Sequence, residues 1–138
     1  MMPPLFAGLS PREKLFRSLF MFALLLVTIL SLIPNPDDVP GGMDFTRWLA
    51  SLLFGDATHS DKVAHFIAYG ILGGGIILGA VRLLGSFIVC AIGIITWSGV
   101  LEILQGIISS RSTDPLDMVA NASGVGAGLV AGILLLWI

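Results

Sequence analysis

Four long apolar stretches dominate this chain and restrict what it can fold into. They cover residues 15–33, 63–81, 86–108 and 115–138, and each is close to the roughly 20 residues that a helix needs to cross a bilayer. Only helices and closed barrels satisfy every backbone hydrogen bond inside lipid, and stretches of this length favour helices. We therefore predict an all-α integral membrane bundle of four transmembrane helices, with residues 1–138 forming a single domain.

The composition excludes two broad classes of protein. Of the 138 residues, 56% are hydrophobic and only 12% are charged, which is too apolar for an ordinary water-soluble domain. The formal net charge of −2 leaves no basic surface of the kind that neutralises phosphate backbones, so we predict no nucleic-acid partner. The single Cys90 cannot form an intrachain disulfide.

The first apolar stretch has a clear helix start. Ser10-Pro11-Arg12-Glu13 combines a capping hydroxyl, a proline suited to the first turn and a glutamate three residues after the cap. Basic residues before an apolar run are also typical of signal peptides. No small-x-small cleavage pattern follows, so an uncleaved first span is the better interpretation.

The polar segment 34–60 contains one amphipathic stretch. Helical spacing places its apolar side chains on one face, away from Thr46, Arg47 and Ser51. Those apolar residues are Phe45, Trp48, Leu49, Leu52 and Leu53. We predict a short interfacial helix here; the alternative is a plain loop with an aromatic anchor.

Small residues recur every four positions in the last stretch, a pattern that lets helix backbones approach closely. They are Ala120, Gly124, Gly128 and Gly132. The second stretch offers two pairs with the same spacing, Gly70 with Gly74 and Gly75 with Gly79. We therefore expect the second and fourth spans to pack together.

The basic residues of the short loops predict the orientation in the membrane. The amino-terminal cluster usually stays in the cytoplasm, so we expect both termini there and the long loop outside. Arg12, Lys14, Arg17 and Arg82 then lie inside, and Arg47, Lys62 and Arg111 lie outside.

Polar residues within the spans gather at the outer ends of their helices. Ionisable groups in a membrane are costly, so they usually face a bundle interior or a wet cavity and mark a working site. The candidate pocket residues are Asp61, Lys62, His65, Tyr69, Glu102, Gln105, Arg111, Asp114, Asp117 and Asn121.

Helical spacing groups these residues by face. Asp61, His65 and Tyr69 are spaced i, i+4, i+8, so His65 can bond a carboxylate, whereas Lys62 is expected to be rotated away. Glu102 and Gln105 form a second stripe. The remaining candidates, Arg111, Asp114, Asp117 and Asn121, lie at the start of the last span, where Asp114 can cap the helix before Pro115.

The same positions resemble the VanZ-like family of bacterial membrane proteins. The resemblance rests on Asp61-Lys62-x-x-His65-Phe66-x-x-Tyr69, Glu102-x-x-Gln105 and Arg111-x-x-Asp114-x-x-Asp117-x-x-x-Asn121-x-x-Gly124, over about the second half of the chain. It implies a multi-pass protein of the bacterial cytoplasmic membrane. The family's namesake is linked to tolerance of the glycopeptide teicoplanin, and the resemblance implies no known reaction.

Several functions fit these residues. The first is a cell-envelope protein whose outer-face pocket binds a membrane lipid or a lipid-linked or peptidoglycan-related headgroup, with Lys62 and Arg111 meeting anionic groups. The second is an acid/base or metal-assisted enzyme, with Glu102 beside His65, or with His65, Glu102 and Asp117 around a divalent metal. No His-x-x-x-His spacing is present, so no metal or other cofactor is predicted.

Two further possibilities stay open. A small transporter or channel subunit would need a polar path through the membrane, and only one end of these spans is polar. A purely structural role would have Glu102 pair with Arg111 or His65, while Gln105 and Asn121 join helices as interhelical hydrogen bonds.

Overall fold

The computed structural model describes residues 5–33, 41, 43–109 and 112–138. These form five helices, α1 (Pro11–Leu32), α2 (Asp44–Phe54), α3 (Ser60–Leu78), α4 (Phe87–Ile108) and α5 (Pro115–Leu136). The described residues contain no strand, apart from an isolated bridge between Leu83 and Ser86 in the turn from α3 to α4. The predicted all-α class is therefore confirmed.

Side-chain caps explain where three of the helices begin. Ser10 and Glu13 form the predicted capping box at α1. Ser86 accepts a hydrogen bond from the Val89 backbone at the start of α4, and Asp114 accepts one from Leu116 at the start of α5. Each cap satisfies a backbone N–H that the helix itself leaves without a partner.

Four of the helices, α1, α3, α4 and α5, are long and apolar enough to cross a membrane. Large apolar side chains such as Ile71, Ile92 and Val130 are exposed on their outer faces, where lipid chains accept them and water would not. The chain is a multi-pass membrane protein.

The second predicted span ends earlier than expected. Helix α3 stops at Leu78 rather than at residue 81, because Gly79 ends the helix and Ala80 takes a positive φ of 49° in the turn.

Helices α3 and α5 run parallel and in close backbone contact. A Cβ added at Gly124 would lie 2.4 Å from the Phe66 carbonyl oxygen, and one at Gly128 would lie 2.0 Å from the Gly70 carbonyl oxygen. Only glycine permits this approach, so the predicted packing of the second and fourth spans is confirmed.

The second pair of α3 glycines faces a different helix from the one predicted. A Cβ at Gly75 would lie 3.1 Å from the Phe20 ring, and one at Gly79 would lie 2.8 Å from the Arg17 backbone nitrogen. Both neighbours belong to α1. Gly75 and Gly79 therefore admit α1 rather than α5, because they lie on another face of α3.

Arg17 stabilises this contact between α1 and the carboxyl end of α3. Its guanidinium Nε donates to the Gly79 carbonyl at 2.9 Å, and another nitrogen donates to the Ala80 carbonyl. A cation at the carboxyl end of α3 satisfies carbonyls that the helix leaves open and complements its dipole.

The predicted amphipathic segment is helix α2, and its faces are arranged as an interfacial helix requires. Thr46 and Ala50 are buried, whereas Phe45 and Trp48 are each 60% exposed. The apolar face therefore points away from the bundle, where it would contact lipid.

Candidate functional site

The polar side chains meet at one end of the bundle, where the helix dipoles favour carboxylates. Helices α3 and α5 both begin there, and α1 and α4 both end there. The positive ends of two parallel helices therefore lie beside Asp61, Asp114 and Asp117.

Lys62 links the first turns of α3 and α5. Its ammonium nitrogen lies 2.8 Å from Asp61 Oδ2, 2.6 Å from Asp114 Oδ2 and 2.6 Å from Asp117 Oδ1. The expectation that Lys62 is rotated away is therefore wrong. Lys62 lies one helical turn before His65, at i and i+3, and this spacing places both side chains towards α5.

Asp114 has two functions at this junction. Its Oδ1 caps α5 by accepting from the Leu116 N–H at 2.9 Å, and its Oδ2 accepts from Lys62. The Lys62 hydrogen bond, followed by the Leu116 hydrogen bond, holds the pKa of Asp114 below its ordinary value of 3.8. The carboxylate therefore stays ionised to low pH.

His65 connects α3 to two residues of α5. Its Nδ1 lies 2.9 Å from Asn121 Oδ1, and its Nε2 lies 3.9 Å from Asp117 Oδ2. A carbonyl oxygen can only accept, so Nδ1 carries a proton in this arrangement. The expected carboxylate partner of His65 comes from α5 rather than from Asp61.

Glu102 joins these residues from α4. One ligand-type atom from each of His65, Glu102 and Asp117 lies within 4.8 Å of the other two. Glu102 and Asp117 are each only 7% exposed, so the two carboxylates meet inside the bundle. Glu102 also has a further interaction of its own.

A cavity of about 330 Å³ lies on the other side of His65, between α1, α2, α3 and α4. Its lining is mostly apolar, and four of the predicted pocket residues are among the residues that line it. These are Asp61, His65, Tyr69 and Gln105. Thr46 of α2 also lines it, so the interfacial helix forms part of the wall.

Two side chains that were predicted to form hydrogen bonds between helices do so. The Gln105 amide donates to the Ser31 carbonyl at the end of α1, and Asn121 bonds His65 across α3 and α5. Gln105 nevertheless lines the cavity, so one residue both joins two helices and presents an amide to the space between them.

Nine of the ten predicted pocket residues fall within the described ranges and lie at this end of the bundle. They divide into cavity-lining residues and residues at the junction of α3, α4 and α5, with His65 in both groups. Arg111, the tenth, lies outside the described residues, so its predicted pairing with Glu102 and its role towards anions stay predictions.

The sequence interpretation missed the contributions of α1 and α2. Ser31, Met43 and Thr46 line the cavity. Ser31 acts through a backbone carbonyl, which no side-chain pattern reveals. Thr46 was assigned to the polar face of α2, and its burial depends on how α2 docks against α3.

Comparisons of the chain with protein-family models, with curated proteins and with solved structures found no match. The functional proposals therefore rest on the residues and on the geometry of this end of the bundle.

Proposed function

We propose that the protein is a cell-envelope membrane protein that binds the headgroup of a membrane lipid or of a lipid-linked, peptidoglycan-related precursor. The cavity beside His65 is the observation that carries this proposal. Its lining is mostly apolar and includes the polar residues Asp61, Tyr69 and Gln105, which is the usual composition of a ligand pocket.

The position of the cavity supports a ligand that comes from the membrane. It lies at the end of four spans, and α2 forms part of its wall while turning Phe45 and Trp48 outward. Tryptophan side chains are enriched at the level of lipid headgroups. A headgroup bound here keeps its lipid tails in the bilayer.

The charges favour a headgroup rich in hydroxyl or amide groups. Lys62 is already paired with Asp61, Asp114 and Asp117, so its charge is compensated within the protein. The amide of Gln105 suits hydroxyls and amides, which are the groups of sugars and peptides. The earlier hypothesis that Lys62 meets an anion has no support in this geometry.

The resemblance to VanZ-like proteins supports a role in the bacterial cytoplasmic membrane and in tolerance of teicoplanin. Both termini are then cytoplasmic, and the polar end faces outward, where envelope precursors are exposed. A protein that binds such a precursor competes with a glycopeptide for it.

Expression in a glycopeptide-susceptible bacterium tests this role. The wild type should raise the teicoplanin concentration that inhibits growth, and Gln105→Leu should remove the rise because it deletes a polar group from the cavity. Trp97→Phe is the matched control. Trp97 and Gln105 each donate one side-chain hydrogen bond from α4 to α1, but only Gln105 lines the cavity.

Membrane abundance of each variant is measured in the same cells. Equal tolerance in the wild type and Gln105→Leu would refute the cavity as the active element. No rise with the wild type would withdraw the tolerance role, and binding of the headgroup would then be decided by lipid retention alone.

A membrane-embedded enzyme acting on an envelope lipid is the second candidate. The grouping of His65, Glu102 and Asp117 within 4.8 Å favours it, because buried carboxylates beside an imidazole can move protons. Glu102→Gln separates the two functions. Loss of tolerance with unchanged lipid retention indicates chemistry, whereas unchanged tolerance indicates binding alone, because Glu102 is not among the described residues that line the cavity.

A further inference from the structure

We propose that His65, Glu102 and Asp117 form a binding site for a divalent transition-metal ion of the Zn²⁺ or Mn²⁺ type. One imidazole and two carboxylates supply three ligands from three helices, and a fourth position is left for water or for a ligand oxygen. The site does not depend on the headgroup proposal, and the metal alone tests it.

The distances suit a site that closes around an ion. The three ligand-type atoms lie within 4.8 Å of one another, and His65 Nε2 is 3.9 Å from Asp117 Oδ2. Ligands bound to one ion at about 2.1 Å are roughly 3.0–3.5 Å apart. Small rotations of the carboxylates cover the difference, and all three residues are fixed on rigid helices.

The contact between His65 and Asn121 provides a second and independent indication. Asn121 is 1% exposed, and its Oδ1 accepts from His65 Nδ1 at 2.9 Å. This leaves the lone pair of a neutral imidazole on Nε2, directed towards Asp117. Metal-binding histidines are usually oriented in this way by a hydrogen bond from the other ring nitrogen.

His65 and Asp117 make no direct hydrogen bond to each other. Nε2 of His65 and Oδ2 of Asp117 lie 3.9 Å apart, which is longer than a direct hydrogen bond. Both atoms can therefore act as ligands of one ion without losing a contact between them.

The contacts of Asp117 leave one of its oxygens for a metal. Asp117 pairs with Lys62 through Oδ1 and presents Oδ2 to His65.

Metal retention by the full chain in detergent tests the site. The protein is purified with a histidine-free tag, stripped with a chelator, reloaded with Zn²⁺ and desalted, and its metal content is then measured. We expect about one equivalent in the wild type. Affinity should fall more than roughly 100-fold in Glu102→Gln and in Asp117→Asn, and about 10–100-fold in Asn121→Leu, which releases the imidazole.

Asp61→Asn is the matched control, because it removes a carboxylate from the same end of the bundle without touching the three ligands. It should retain metal as the wild type does. Loss of metal in Asp61→Asn equal to that in Glu102→Gln would overturn the site in favour of diffuse attraction. Absence of retained metal in the reloaded wild type would overturn it in favour of an imidazolium–carboxylate pair.

A spectroscopic variant separates loss of the site from loss of the fold. Co²⁺ loaded into Asp117→Cys should show a thiolate-to-cobalt charge-transfer band that the wild type lacks, because only a direct ligand places sulfur on the metal. Cobalt bound without this band would contradict the assignment of Asp117.

Discussion

A single lysine organises the polar end of this bundle. Lys62 contacts carboxylates from both α3 and α5, and its side chain is only 19% exposed. The sequence placed all of these residues at one end of the spans. It did not identify Lys62 as their centre. Lys62 was judged by its position next to Asp61, from which it is rotated on the helix, and not by its i, i+3 spacing to His65.

Lys62→Met should therefore destabilise the protein by about 1–3 kcal/mol, since it leaves three partly buried carboxylates close together without their shared cation. Lys14→Met is the control, because Lys14 is exposed at the start of α1. Unfolding in detergent measures both. A change for Lys62→Met as small as that for Lys14→Met would show that the Lys62 contacts contribute little.

The lowered pKa of Asp114 predicts how stability depends on pH. The folded pKa is below the unfolded one, so the contribution of Asp114 is complete above 3.8 and is lost as the pH falls through the folded value. Asp114→Asn keeps an N-cap but removes the charge. The stability difference between wild type and Asp114→Asn should therefore shrink between about pH 7 and about pH 3.

Thermal unfolding across that range provides the measurement. A difference that stays constant as the pH falls would mean that the Asp114 carboxylate does not contribute through its charge, and that the cap alone accounts for it.

The contact between α3 and α5 shows what a periodic pattern can and cannot predict about helix packing. The four-residue spacing of Gly124, Gly128 and Gly132 was sufficient to predict a close helix partner. The same spacing at Gly75 and Gly79 indicated another close contact but not its partner, which is α1. A pattern within one helix reveals a small face, and the identity of the neighbour depends on the whole bundle.

Two glycines of α5 allow a matched test of this packing. Gly128→Ala should destabilise the bundle by about 1–3 kcal/mol, because its Cβ would lie 2.0 Å from the Gly70 carbonyl oxygen and the backbones would have to separate. Gly126 has nothing within 4 Å of an added Cβ. Gly126→Ala should therefore be neutral or stabilising by up to about 1 kcal/mol.

Both substitutions gain the same helix propensity, so their difference isolates the contact. The free energies of unfolding of the two variants are compared in the same detergent. Equal values would contradict a close α3–α5 contact at Gly128.

At the scale of the whole molecule, composition was sufficient to predict four spans and an interfacial helix. The arrangement of the site was less accessible, because it depends on which helix ends meet. The cavity also uses the Ser31 carbonyl and Thr46, and neither belongs to the polar stripes that the sequence displays.

The proposed orientation places the polar end outside. Ala57→Cys, in the loop before α3, should react with a membrane-impermeant thiol reagent in intact cells, whereas Leu84→Cys, in the turn after α3, should not. Both positions are exposed, and neither substitution changes a charge that directs topology. The buried native Cys90 is replaced by alanine in both variants, so that only the introduced cysteine can react. The reverse labelling pattern would show that the orientation is opposite to the one proposed.

Lipid retention tests most directly whether the cavity binds a headgroup. The wild type, Gln105→Leu and Trp97→Phe are extracted from bacterial membranes, exchanged into a lipid-free detergent and weighed by native mass spectrometry. We predict that wild type and Trp97→Phe each retain one lipid or lipid-linked precursor of a single headgroup class, and that Gln105→Leu loses it. Equal retention in all three, or a mixture that merely reflects the bulk membrane, would contradict a headgroup site at the polar end of the bundle.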